Sequence, residues 1–189
     1  MISKRELLIG AAVALCLTPT AVLSAPRSKR RRFRLHPKFQ PRVVSFRGYS
    51  AGTIVIDPRR HYLYLVLPGG RARRYGVGVG RAGRAFRGTA RIARKAKWPS
   101  WTPTRNMIRR EPRKYARYAN GVPGGRGNPL GARALYLYQG NRDTMFRIHG
   151  TTEPWSIGRS VSNGCIRMLN RHVIDLYRRV PTGTLVVVI

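Results

Sequence analysis

Acidic residues are scarce in this chain: 6 Asp and Glu stand against 38 Lys and Arg in 189 residues, a formal net charge of +32 at pH 7. A charge that large draws any anionic polymer at low salt, so nucleic acid, an anionic membrane and an acidic cell-wall polymer all fit as partners, while nothing follows for the fold. Cysteine is scarcer still, with 2 residues, Cys16 and Cys165. The 4 histidines are scattered, so no metal cluster is expected. There is no internal repeat and no heptad pattern. At this length the chain holds one domain with a real core plus extensions, and a second domain is not expected.

What is present begins with an address. Lys4 and Arg5 precede an apolar run from Leu7 to Leu17, followed by Pro19 and the small-residue exit Val22-Leu23-Ser24-Ala25. This is the layout of a secretory signal peptide cut after Ser24, and the run is too short for a comfortable membrane span. Ser3-Lys4-Arg5-Glu6-Leu7-Leu8 is one residue from a twin-arginine signal, so both export routes stay open. Leu15 before Cys16 argues against a lipoprotein site, and removal of residues 1–24 leaves Cys165 alone, with no internal disulfide possible in an oxidising compartment. Residues 25–44, with six basic residues between Arg27 and Arg34 and prolines on both sides, read as a disordered linker, either a tether to an anionic surface or a solvated tail. The domain is expected over 45–189.

Within it the texture is β-rich. Thr53 to Ile56 and Tyr62 to Leu67 read as a hairpin around Asp57-Pro58-Arg59-Arg60, and Arg73 to Val79 as a strand whose glycines admit close approach of another backbone or a ligand. Gly76-Val77-Gly78-Val79-Gly80 is no phosphate loop, because no helix pattern follows it. Arg91 to Lys97 reads as a strand, Met107 to Tyr118 as one short helix, and 121–131 as a loop that is either a lid over a cleft or a disordered insertion. Ala134 to Gln139 and Met145 to His149 read as strands joined by Gly140-Asn141-Arg142-Asp143, which puts His149 at a strand end facing a cleft. Val173, Leu176 and Val180 recur at helical spacing with Asn170 available as N-cap and His172 on the exposed first turn, and Thr184 to Ile189 reads as a last, buried strand. His36 and His61 carry no chemistry in this reading.

The stretch from Ile148 to Met168 supplies the parts of a thiol acyl-transferase. Thiolate is the nucleophile, and an unperturbed cysteine near pH 7 is only a few per cent ionised. His149 can take the proton, and Arg159 and Arg167 supply positive charge, so the Cys165 thiol is expected to have a lowered pKa. The backbone N–H groups of Gly164 and Cys165 suit an oxyanion.

His149-Gly150-Thr151-Thr152, Ile157-Gly158 and Ser162-Asn163-Gly164-Cys165-Ile166-Arg167-Met168 resemble the signature of the L,D-transpeptidase catalytic domain, the YkuD domain, and the similarity extends over about residues 45–189. The resemblance implies a mainly β, sandwich- or barrel-like fold with one or two short helices beside the active-site cysteine. It implies Cys165 as nucleophile, His149 as proton donor and acceptor, Gly150 as the carbonyl that orients His149, and Gly164 in the oxyanion hole. Ser162, Asn163, Trp155 and Arg167 fall to loop support and substrate binding. Many members have histidine where Asn163 stands, so a proton role there is lost. The implied function is exported, in the periplasm or cell envelope. Cys165 forms a thioester on a peptidoglycan tetrapeptide stem, releases D-alanine and passes the acyl group to diaminopimelate as a 3-3 crosslink, to an envelope protein, or to water. The resemblance also implies sensitivity to carbapenems and no metal or organic cofactor. Stem-peptide carboxylates match the basic surface. An inactive wall-binding module is the remaining alternative. Nucleic acid is excluded by the signal peptide, and Trp98 and Trp101 lack a recognised binding motif. Membrane contact is confined to export.

Overall fold

The computed structural model describes residues 33–81 and 86–189. The expected signal peptide, Cys16 and the linker up to residue 32 lie outside the described residues. Eleven strands are present among those described: β1 Arg42–Ser45, β2 Ile54–Asp57, β3 Tyr62–Leu67, β4 Arg71–Gly76, β5 Val79–Gly80, β6 Gly88–Lys97, β7 Arg133–Gln139, β8 Arg142–His149, β9 Ser160–Ser162, β10 Ile166–Arg167 and β11 Leu185–Val188. The helices are α1 Arg105–Arg110, α2 Pro112–Tyr115 and α3 Asn170–Arg179.

Nine strands make one sheet in the order β1-β4-β3-β2-β11-β6-β7-β8-β10, and β5 pairs with β9 beside it. Most neighbours are antiparallel, but β11 runs parallel to β2, and β10 parallel to β8. The two ends of the sheet approach each other. Just past β4, the second strand from one edge, Gly78 exchanges backbone hydrogen bonds with Arg167 of β10, the strand at the other edge (2.9 and 2.8 Å). The sheet therefore curls in the barrel-like manner expected.

Its inner face is the core. Period-2 alternation sends Ile54 and Ile56, Leu63 and Leu65, and Leu135 and Leu137 inward, where they meet Tyr75, Ile92, Ile148 and Met168. Helix α3 closes this core with Val173 and Leu176, and Asp175 ties it to β4 by accepting hydrogen bonds from Arg73 Nε (2.9 Å) and the Tyr75 hydroxyl (2.7 Å). Burial alone would raise the Asp175 carboxyl, but the hydrogen bonds from Arg179, Tyr75 and Arg73 hold it down to about 2. The apolar C-terminal strand sits between β2 and β6, as its composition demanded.

Several expectations need correction. Residues 33–44 are not a linker. Leu35 and Phe39 are buried against Ile157 and Leu169, Pro37–Phe39 forms a 3₁₀ turn, and β1 extends the sheet by pairing with β4. Two isolated apolar side chains in a basic, proline-flanked stretch show no periodicity, which is why composition concealed them. The helix expected over 107–118 is split in two. Pro112 has no N–H to continue α1, and Glu111 leaves helical geometry (φ −137°, ψ 63°) before α2 starts. Asn170 does not cap α3; Leu169 stands at the cap and Asn170 Oδ1 accepts from Ala132 N (3.0 Å), binding the helix start to the chain entering β7. His172 is buried, not exposed. The glycine expectation holds, since side chains at Gly76 and Gly78 would collide with Phe39 and with the Ser156 carbonyl.

Phe39 thus keys the N-terminal segment into the domain, with its ring centroid 5.7 Å from that of Tyr62. Phe39→Ala is expected to lower unfolding free energy by about 3 kcal/mol in urea titration. A change within the measurement error would mean that the segment is only an appendage.

Candidate active site

The parallel pairing of β8 and β10 assembles the site. Its register sets Ile166 beside Ile148 and Arg167 beside His149, so Cys165, one residue ahead of β10, falls at the level of Arg147. His149 and Cys165 both line a cleft of about 700 Å³. Trp101, Tyr115, Tyr118, Met145 and Phe146 give it apolar wall, while Arg110, Lys114, Arg117 and Arg167 make it basic. Gly127, Pro129 and Leu130 line it too, so the 121–131 loop is a wall of the cleft. It is fastened by buried Asn128, whose side chain donates to the carbonyls of Val122 and Pro123 and accepts from Leu130 N.

His149 is buried, and its Nδ1 lies 2.5 Å from the Gly150 carbonyl oxygen. A carbonyl only accepts, so Nδ1 carries the proton and Nε2 is left with its lone pair. Burial first, then the charge of Arg167, pushes the His149 pKa down to about 3, although the carbonyls of Gly150 and Leu130 oppose this. Cys165 is half-buried, and its Sγ lies 3.8 Å from the Met145 carbonyl. Burial pushes the thiol up, outweighing the Arg147 backbone N–H and the charges of Arg147 and Arg167. The lowered thiol pKa expected from the basic surroundings is therefore corrected: burial is the larger effect, and the shift is upward.

The cysteine loop is braced from within. The Ser162 hydroxyl donates to the Cys165 carbonyl (2.7 Å) and accepts from Gly164 N (3.1 Å). Gly164 takes φ 128°, which suits glycine alone. Its N–H is thus engaged by Ser162, so of the two donors assigned to an oxyanion the Cys165 N–H is the one this loop leaves for the task. Asn163 Nδ2 donates to the Tyr115 hydroxyl (3.0 Å), tying the loop to α2. Arg167 is ion-paired with Glu153.

Two expected residues fall elsewhere. Trp155, 55% exposed, and Arg159 do not line the cleft but a smaller depression beside it. The sequence reading also missed Asp143, Met145 and Arg147. Asp143 bonds the Arg147 guanidinium through both oxygens (2.7 and 2.8 Å) and accepts from Met145 N (2.8 Å). Met145 takes φ 62°, and here the β7–β8 register shifts. This bulge faces the Met145 carbonyl toward the thiol; its one sequence trace is an Asp and an Arg four residues apart in a segment read as turn and strand.

Residues 51–188 match the family model of the YkuD L,D-transpeptidase catalytic domain. The chain belongs to that family. A probable L,D-transpeptidase of Escherichia coli K12, ErfK/SrfK, is 36% identical over 115 residues, covering 60% of this chain and 36% of its own length. The chain thus spans little more than a third of that curated relative. Among solved structures, a Brucella melitensis protein described as a probable carnitine operon oxidoreductase is 57% identical with a TM-score of 0.57, over 79% of this chain and 93% of that one. L,D-transpeptidase 3 of Mycobacterium tuberculosis, solved with a faropenem-derived adduct, shares the fold at 16% identity and a TM-score of 0.51, over 72% of this chain and 59% of that one. The L,D-transpeptidase fold is therefore that of this family member, with Cys165 and His149 both lining one cleft.

A thiol pKa raised by burial has a readable signature. Alkylation of Cys165 by iodoacetamide is expected to be slow at neutral pH and to rise about tenfold per pH unit between about pH 6 and 8, because only the thiolate reacts. A rate already on a plateau across that range would show a preformed thiolate–imidazolium pair instead. Stability carries a second signature. Unfolded histidines protonate near 6.5, whereas native His149 and His172 wait until about 3 and about 4, both because burial disfavours their charged form. The unfolded chain thus binds more protons below 6.5, and stability falls as pH drops toward 4. The melting temperature is expected to fall from about pH 7.5 to about pH 5, less so in His172→Leu; a flat profile would overturn both histidine assignments.

Proposed function

We propose that this protein is an active, exported L,D-transpeptidase of the periplasm or cell envelope that acts on peptidoglycan tetrapeptide stems. The observation that carries the reading is that Cys165 and His149 line one cleft, with the imidazole Nδ1 held at the Gly150 carbonyl. In the first half-reaction Nε2 accepts the thiol proton as Sγ attacks the carbonyl between the third and fourth stem residues. The Cys165 N–H receives the developing oxyanion. The imidazolium then protonates the leaving nitrogen, D-alanine departs, and the acyl group stays on sulfur as a thioester. In the second half-reaction an amine attacks, His149 takes its proton, and the C–S bond breaks to restore the thiol. Diaminopimelate as acceptor gives a 3-3 crosslink.

The cationic cleft supports this substrate class, since stem peptides carry free carboxylates, and it implies weaker binding as salt rises. Carbapenem acylation at Cys165 follows from the same nucleophile. Ser162, Asn163 and Arg167 hold the cysteine loop and cleft wall around the bound stem.

Incubation of the purified mature chain with a disaccharide-tetrapeptide, followed by mass spectrometry, is expected to show a thioester adduct and released D-alanine. Cys165→Ala should show neither, and His149→Gln should slow adduct formation by about 10³-fold, the weight of a positioned general base. Wild type that forms no adduct with either the tetrapeptide or a carbapenem would leave a wall-binding module as the function.

A further inference from the structure

Beside the cleft lies a second depression of about 180 Å³, and the two share Lys114, Glu153 and Arg167 along their rim. Its remaining charged lining is Arg81 and Arg159, and the exposed indole of Trp155 forms an apolar side. Four cations thus meet one carboxylate, and that carboxylate is already held by Arg167. Glu111 lends Arg81 and Lys114 only long contacts of 3.8 and 4.0 Å. Among the described residues the Arg159 guanidinium has no hydrogen-bond or ion-pair partner. A concave spot with unspent guanidinium capacity and an apolar wall fits a small carboxylate attached to a short hydrocarbon stem, which arginine binds through two parallel hydrogen bonds.

We infer that this depression seats the carboxylate of the acyl acceptor, an amine whose own carbon bears a free carboxylate, as in an amino acid or the outer centre of a diamino acid. The inference rests on the transpeptidase reading and adds a recognition element for its second substrate. With the carboxylate on Arg159 and Arg81 and the carbon chain along Trp155, the neighbouring amine is delivered over the shared rim toward the thioester on Cys165. The amine nitrogen forms the new C–N bond and gives one proton to His149. The C–S bond breaks, and that proton passes to sulfur. Water has no carboxylate to seat, so the depression biases the thioester toward transfer over hydrolysis.

The test compares two acceptors with the tetrapeptide donor held saturating: D-methionine and D-methioninamide. They differ in the carboxylate, and the amide has more free amine at neutral pH, so amine chemistry alone favours the amide. Wild type is expected to show an acceptor KM about tenfold lower for the acid, which is one well-placed charged contact. Arg159→Ala and Arg81→Ala should each shrink that ratio to about twofold or less, and Arg159→Lys should retain part of it. A general defect in folding or acylation moves both acceptors together. Equal KM values in wild type, or a wild-type ratio preserved in Arg159→Ala, would overturn the assignment. Wild type that releases no D-alanine even without an acceptor would remove the transpeptidase reading, and the inference with it.

Discussion

Two residue pairs of parallel strand, Ile166 beside Ile148 and Arg167 beside His149, hold the site together. That short ladder takes a cysteine from a glycine-rich loop and a histidine from the end of a long hairpin and fixes both at one edge of the sheet. The same edge receives Gly78 from the far side, through two backbone hydrogen bonds to Arg167. Curling of the sheet and assembly of the site therefore rest on the same strand edge. A slip of one residue in β10 would turn Ile166 out of the core and carry Cys165 away from Arg147, so the apolar core enforces the register that brings Cys165 and His149 to one cleft.

Charge is distributed with the same economy. Five of the six acidic residues lie in the described region, and each is ion-paired with arginine or lysine at a distance of 4.0 Å or less. Glu111 and Glu153 lie on the cleft wall, Asp143 braces the bulge behind Met145, and Asp175 clamps α3 to β4. In a chain this cationic, a carboxylate survives where it orients an arginine. Other cations are spent on carbonyls and rings, as where Lys95 donates to the Tyr177 and Val180 carbonyls and Arg94 covers the Tyr136 ring, while Arg110, Arg117, Arg81 and Arg159 line the two depressions.

The hairpin of β2 and β3, the buried last strand and the helix α3 were legible in the sequence because each carries its own local signal: β-branched and aromatic runs in Ile54–Asp57 and Tyr62–Leu67, unbroken apolar character in Leu185–Val188, and i, i+3 spacing in Val173 and Leu176. The cysteine and histidine were legible because their flanking motifs are. What escaped is tertiary by nature. Leu35 and Phe39 are buried by partners more than a hundred residues away, Ile157 and Leu169, and no local pattern announces that. The direction of the thiol shift escaped because sequence counts charges but not solvent. Arginines nearby argue for a thiolate, and only the geometry shows that desolvation is the larger effect.

Asn163 illustrates how one loop position can exchange chemistry for architecture. An amide cannot titrate, and here it donates to Tyr115, whose ring lies 6.2 Å from that of Trp101, a neighbouring residue of the cleft lining. Ser162 fastens the inner side of the cysteine loop and Asn163 the outer side, so both neighbours of Gly164 are held by groups whose charge is constant across the working pH range. In the proposed reaction proton transfer falls to His149, whose Nδ1 is held at the Gly150 carbonyl. On that proposal the loop that carries Cys165 keeps its geometry while the imidazole gains and gives up a proton, as an acid–base role demands of its surroundings.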